Sequence, residues 1–286
     1  VVGAAGAGGQ GRYGVDAPGW LLGLGGSVVL PLVAVAAGAP RWLLRIPAVT
    51  AAPAGLFLHA SVRGKFLVWE ELLDGLRLRG DEQVLDLGCG RGAVLTAVAR
   101  RVPGGRVTGV DLWRSVDQSG NHAATTLDNA GRERVADRID LVTADMRRLP
   151  FEDGRFDLVV SSMALHNITD ARGRSEAVRE AYRVLRPGGR LLLVDIFHTG
   201  QYRDLLLTAG ARDVTLADVG HRMWWSGPWV PTRWVRAEKP GVPGEPDPTE
   251  APPSVPPSST LPSSTPPAST PPASTPPSST ETGGTA

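Results

Sequence analysis

Thiols are almost missing from this chain: its 286 residues include one cysteine, Cys89. That excludes an intrachain disulfide framework and any zinc site built mainly on thiolates. Net charge is almost missing too. Lysines and arginines number 30 and acids 29, a formal +1, which excludes a strongly basic nucleic-acid binder and a polyacidic tail protein. The near-zero sum hides three different materials. Residues 1–65 hold five basic groups and one acid, and residues 66–239 hold 25 and 24. Residues 240–286 hold four acids, no base, and 15 of the 25 prolines. Only the middle stretch has the composition of a soluble globular domain.

What residues 17–40 lack is any charge. Twenty-four apolar and small residues suffice to cross a hydrocarbon core, which needs about 20. A second uncharged run, 46–62, is marginal, with Arg41 and Arg45 before it and Arg63 and Lys65 after it. After an N-terminal segment, 1–16, the region 17–62 therefore reads as membrane-associated, and four arrangements remain open. Two short helices form a hairpin; or 17–40 spans while 46–62 lies at the interface, keeping all four cations inside. Alternatively Ala34-Val35-Ala36 marks a cleaved signal, or the run is a buried extension of a soluble fold. At the other end, residues 256–280 are five Pro/Ser/Thr pentads in which Leu261 is the sole large apolar side chain. A segment with so little to bury is expected to be a solvated, disordered tail, spanning 240–286.

Residues 66–239 alternate helical and strand periods. Phe66, Trp69, Leu72, Leu73 and Leu76 recur at three- and four-residue steps, an amphipathic helix that Gly80 should stop. Strands follow at 83–87, 107–110, 139–142, 156–160, 190–194, 214–216 and 233–235, with helices between the earlier ones, notably 93–101, 175–185 and 202–209. Repeated βα units imply a mostly parallel sheet covered on both faces. Between the first strand and its helix stand Gly88, Gly90 and Gly92, where a backbone passes close to a ligand. Asp111 ends the next strand, placed to hold ribose hydroxyls. The loop alone also satisfies the dinucleotide fingerprint. Three further features separate the readings: Asp86 inside a strand, where a charge needs a polar partner such as a ligand ammonium; Asp145-Met146 ending the third strand, suited to an adenine edge; and Leu185-Arg186-Pro187-Gly188-Gly189-Arg190, a tight turn into the fifth strand.

Together VLDLGCGRG (84–92), VTGVDL (107–112), TADMRRLPFEDGRFDLVVSS (143–162) and LRPGGRLLLVD (185–195) resemble the class I S-adenosylmethionine-dependent methyltransferases. The likeness runs over residues 80–239 and is nearest the small-molecule branch that includes quinone- and sterol-biosynthesis enzymes. It implies a Rossmann-like α/β fold, a seven-stranded, mostly parallel sheet with an antiparallel last strand, here preceded by one or two membrane helices. It implies S-adenosyl-L-methionine as cofactor, with Asp86, Gly88 and Gly90 around the methionine portion, Asp111 on the ribose, Leu112 against the adenine, Asp145 and Met146 at the adenine edge, and Ser161 closing the site. Gly92 has a second reading as helix packing, and Cys89 is taken as an apolar filler.

A sulfonium methyl is already an activated electrophile, so a general base is needed only for an acceptor that arrives protonated. His166, beyond the fourth strand, is the candidate, and its other reading is a histidine that caps the backbone; His198 is weaker. The polar loop Trp113–Asn121 is longer than the usual turn and lies over the cofactor or is a plain surface insertion. Trp224, Trp225, Trp229 and Trp234 form an acceptor wall, an interfacial anchor, or hairpin packing. The expectation is a membrane-associated methyltransferase with a cytoplasmic catalytic domain, no metal, no nucleic-acid partner, and a small, hydrophobic or lipid-like acceptor. The alternative is a non-catalytic cofactor-binding or scaffold module of the same fold.

Overall fold

The computed structural model describes residues 11–114 and 116–241. The Pro/Ser/Thr tail lies outside the described residues. Seven strands form one sheet: β1 (Gln83–Leu87), β2 (Arg106–Asp111), β3 (Ile139–Thr143), β4 (Phe156–Ser162), β5 (Leu185–Asp195), β6 (Arg212–Asp218) and β7 (Arg233–Glu238). Their order is β3-β2-β1-β4-β5-β7-β6. β1 to β5 pair in parallel, while β7 runs antiparallel to both neighbours.

Two-residue periodicity builds a core on each face. Val84, Leu158, Val160, Leu192 and Val194 face one side and pack with Trp69, Leu73, Leu95 and Val98. These partners come from α3 (Lys65–Gly75) and α4 (Ala93–Arg101). Leu85, Leu87, Val159, Leu191 and Leu193 face the other side, against Ala177, Ala181, Tyr202 and Leu206 of α6 (Ala171–Arg183) and α7 (Thr199–Thr208). A further helix, α5 (Ala123–Arg132), follows the loop after β2. α3 stops at Gly75, five residues before Gly80. The turn expected at Arg186–Gly189 is instead a bulge inside β5, where the register slips between the Phe156 and Leu158 pairs.

Before the sheet stand α1 (Pro18–Ala36) and α2 (Arg45–His59), which runs through a wide turn at Ala60–Gly64 into α3. They pack antiparallel, because Asp16, just before α1, bonds Ser61, just after α2: the Asp16 amide donates to Ser61 Oγ at 2.9 Å. Leu21, Leu24, Phe57 and Ala60 at this base pack with Val219, Met223 and Trp225 of the β6–β7 loop. Above the base the hairpin is left uncovered by the described residues: Trp20, Leu22, Leu30, Val33, Trp42 and Val49 are exposed.

Candidate functional site

In an open α/β sheet, ligands bind beyond the carboxyl ends of the strands, where the strand order reverses. Here that point lies between β1 and β4, with Leu87 paired to Ser161. A deep cavity opens there. Gly88, Gly90 and Gly92 all have positive φ, at 71°, 51° and 83°. A Cβ on Gly88 would stand 2.2 Å from Ala164 Cβ, and one on Gly90 would stand 2.6 Å from Gln118 Oε1. Neither position accepts a side chain, so bare backbone forms the cavity floor.

Asp86, Gly88, Gly90, Asp111, Leu112, Asp145 and Met146 all line this cavity. Asp86 is 1 % exposed, and both its carboxylate oxygens are buried without a hydrogen bond. Burial, then the charge of Asp111, pushes its pKa up to about 8, which the Leu95 amide offsets only in part. Such a group is costly unless a cation reaches it. Asp111 is held from three sides: Oδ2 accepts from the Gly90 amide at 2.8 Å, and Oδ1 accepts from the Trp113 amide at 2.6 Å and from Asn121 Nδ2 at 3.2 Å. Asp145 is clamped by the Arg147 side chain at 2.5 Å, which with the Arg147 amide holds its carboxyl below the usual range.

Ser161 is not part of this wall. Its hydroxyl donates to the Leu87 carbonyl at 2.8 Å, and its neighbour Ser162 lines the cavity instead, accepting from Trp69 Nε1 at 2.8 Å. Strand parity is the reason. Ser162 shares the face of Val160, which pairs with Asp86, whereas Ser161 points to the opposite face.

His166 is likewise outside the lining, between Ala164 and Asn167, which belong to it. Its Nδ1 bonds Asp195 Oδ1 at 2.5 Å, and its amide donates to Asp195 Oδ2 at 3.0 Å. Ile196 N and Tyr202 Oη complete the donors to this buried carboxylate. Burial pulls the imidazole pKa down, but the bond to Asp195 and the charges of Asp195, Asp117 and Asp16 outweigh it, and the net shift is upward.

Another part of the wall comes from far away in sequence. Asp16, Lys65, Phe66, Trp69 and Gln118 all line the cavity. Lys65 Nζ donates to Asp16 Oδ2 at 2.7 Å, Gln118 Nε2 donates to Asp16 Oδ1 at 3.1 Å, and Gln118 Oε1 accepts from the Arg91 amide at 2.9 Å. A continuous relay thus joins the hairpin base to the glycine loop. The long loop after β2 does lie over the site. Cys89 is buried beneath it, its thiol pushed well above the ordinary value by burial and then by the Asp86 and Asp111 charges.

A family model described as a methyltransferase domain matches residues 85–193, from β1 through β5. This chain carries a methyltransferase domain. The ubiquinone/menaquinone biosynthesis C-methyltransferase UbiE of Roseobacter denitrificans is 35% identical over 129 residues, 45% of this chain and 48% of that one. The 27-O-demethylrifamycin SV methyltransferase of Amycolatopsis mediterranei is 38% identical over 128 residues, 44% and 43% of the two chains. The chain therefore spans about half the length of the curated relatives it matches. Among solved structures, a SAM-dependent methyltransferase from Aquifex aeolicus aligns with a TM-score of 0.50 and 17% identity over 65% of this chain and 97% of that one. The [4+2]-cyclase SpnF also aligns at 0.50, with 20% identity over 80% and 100%. A cyclase on the same architecture means that fold alone does not name the reaction.

The cavity's chemistry fits S-adenosylmethionine, the cofactor of this domain class. The uncompensated Asp86 carboxyl suits an ammonium, the Asp111 carboxylate suits vicinal hydroxyls, and the glycine floor suits a ligand laid against backbone.

Proposed function

We propose that this protein transfers the methyl group of S-adenosylmethionine to a small, hydrophobic acceptor resident in a membrane. The observation that carries the cofactor half is Asp86, a buried carboxyl in a glycine-floored cavity that no cation among the described residues offsets. The bound cofactor supplies an activated methyl on a sulfonium, so the residues mainly bind, orient and exclude water. Asp86 ionises to receive the ammonium, Asp111 grips the ribose, and Lys65 supplies a cation in the same wall. The Asp16–Gln118 relay fixes the part of the wall contributed by the hairpin base.

The acceptor half rests on the hairpin. α1 has 19 residues, a high mean hydropathy of 1.9, and is 6% buried. At 1.5 Å per residue it is about 28 Å long, close to the hydrocarbon thickness. Trp20 near the base and Trp42 at the tip are exposed at the two levels where interfacial tryptophans belong. Because the base is pinned to the catalytic domain, the hairpin reading of residues 17–62 is the one the contacts favour. The domain then faces the side where the cofactor is made, and the cavity mouth sits at the membrane plane. Quinones, isoprenoids and lipids are the acceptor classes this suits.

Calorimetry with S-adenosylmethionine, paired with a turnover assay for S-adenosylhomocysteine in the presence of a membrane lipid extract, tests the proposal. Binding with turnover supports it, and binding that Asp111→Ala weakens at least tenfold supports the site. Binding without turnover on any lipid extract leaves a cofactor-holding module instead.

A further inference from the structure

Asn121 closes the long loop after β2 and is 2 % exposed, yet it lines the cavity. Its amide hydrogens are spent on two acceptors, Asp111 Oδ1 at 3.2 Å and the Arg114 carbonyl at 3.3 Å. Those partners dictate the orientation of the amide: flipping it would set oxygen against a carboxylate and a carbonyl. The carboxamide oxygen that results is buried and has no hydrogen bond. A buried acceptor left unmade is costly, and no group among the described residues relieves it.

We propose that Asn121 is a second ribose-recognition residue, whose carboxamide oxygen accepts a hydrogen from one hydroxyl of the cofactor's vicinal diol. Asp111 stands beside it with each carboxylate oxygen already taking at least one protein donor. One nitrogen of Asn121 thereby positions Asp111 while the oxygen of the same amide faces ligand. Two adjacent acceptors, one charged and one neutral, match a diol better than a single carboxylate whose lone pairs are partly committed. The arrangement depends on the extra length of the loop, since the amide must reach back from the start of α5 to the end of β2. This inference builds on the cofactor assignment and is independent of the membrane.

The test uses the full chain and three ligands: S-adenosylhomocysteine and its 2′-deoxy and 3′-deoxy analogues. Asn121→Ala should weaken S-adenosylhomocysteine about tenfold by calorimetry, while wild type and variant bind one of the two deoxy analogues alike. In wild type, the Asn121 side-chain carbonyl ¹³C resonance should move downfield with S-adenosylhomocysteine and stay in place with that analogue. An equal loss for all three ligands with an unmoved carbonyl resonance overturns the proposal, leaving Asn121 as a support for Asp111. A loss that vanishes instead with S-inosylhomocysteine also overturns it, moving the contact to the adenine amine. If the variant does not fold, the wild-type carbonyl shift decides. Failure of wild type to bind S-adenosylhomocysteine at all would fell the cofactor assignment itself.

Discussion

Asp86 sets the chemistry at the scale of single residues, and its pH behaviour follows from its isolation. Its pKa in the folded protein is about 8 against an ordinary 3.8, so the carboxyl is neutral at pH 7 without ligand. A raised acid gives stability that is full below the unfolded value and lost as pH rises toward the folded one. Without cofactor, Asp86→Asn should therefore gain thermal stability relative to wild type as pH climbs from about 4 to 8, read by melting temperature. With an ammonium bound the carboxyl ionises, so binding at pH 7 should release about one proton in wild type and less in the variant. Calorimetry in buffers of different ionisation enthalpy measures this, and equal release would remove Asp86 from the ammonium site. Cys89, buried and raised, should resist iodoacetamide until the protein unfolds. Much of this was legible in the chain, because an acid inside an apolar strand, followed at once by glycines, is costly unless a ligand meets it. Ser161 was not, because alternation along the strand decides it: Asp86 and Ser162 fall on one face and Ser161 on the other. Asp16, Lys65 and Gln118 gave no local signal, since their contacts span 49 and 102 residues and polar side chains carry no periodicity.

Among the elements, the join between α2 and α3 shows packing overruling propensity. Gly64 is helical, and alanine there should favour the helix by about 1 kcal/mol. Its Cβ, however, would stand 1.8 Å from the Arg222 carbonyl oxygen, and backbone does not yield as a flexible side chain does. Gly64→Ala should therefore destabilise by roughly 1–3 kcal/mol, seen as a lower denaturation midpoint, and a rise would show that the hairpin base does not pack on this loop. The sheet itself was readable strand by strand, because buried parallel strands are continuous apolar runs. Boundaries moved where hydrogen bonds rather than side chains decide: β5 begins at Leu185, five residues early, because Leu185 already pairs with Phe156 and the ladder resumes at Arg190 after the bulge. The reach of the hairpin base onto Met223 and Trp225 was not legible, since Trp225 reads as acceptor wall, membrane anchor or internal packing and Met223 carries no signal of its own.

For the whole molecule, an exposed apolar hairpin, a cavity at its base and a polar relay between them form one device. The hairpin exposes a run of large apolar side chains, Trp20, Leu22, Leu30, Val33, Trp42 and Val49 among them. The protein should float with liposomes of neutral lipid, and Leu22→Lys with Leu30→Lys should leave it in the soluble fraction while calorimetric binding of S-adenosylhomocysteine persists. The near-neutral sum of charge is a cancellation between its ends, and residues 66–239 are themselves nearly balanced, with 25 bases and 24 acids. Membrane residence and methyl transfer meet in one measurement. The full chain is incubated with methyl-labelled S-adenosylmethionine and whole membranes, and the products are partitioned between organic and aqueous phases. Label should enter the organic phase with wild type and fail to do so with Asp111→Ala; label confined to aqueous products, formed equally well from a soluble extract, would contradict a membrane-resident acceptor.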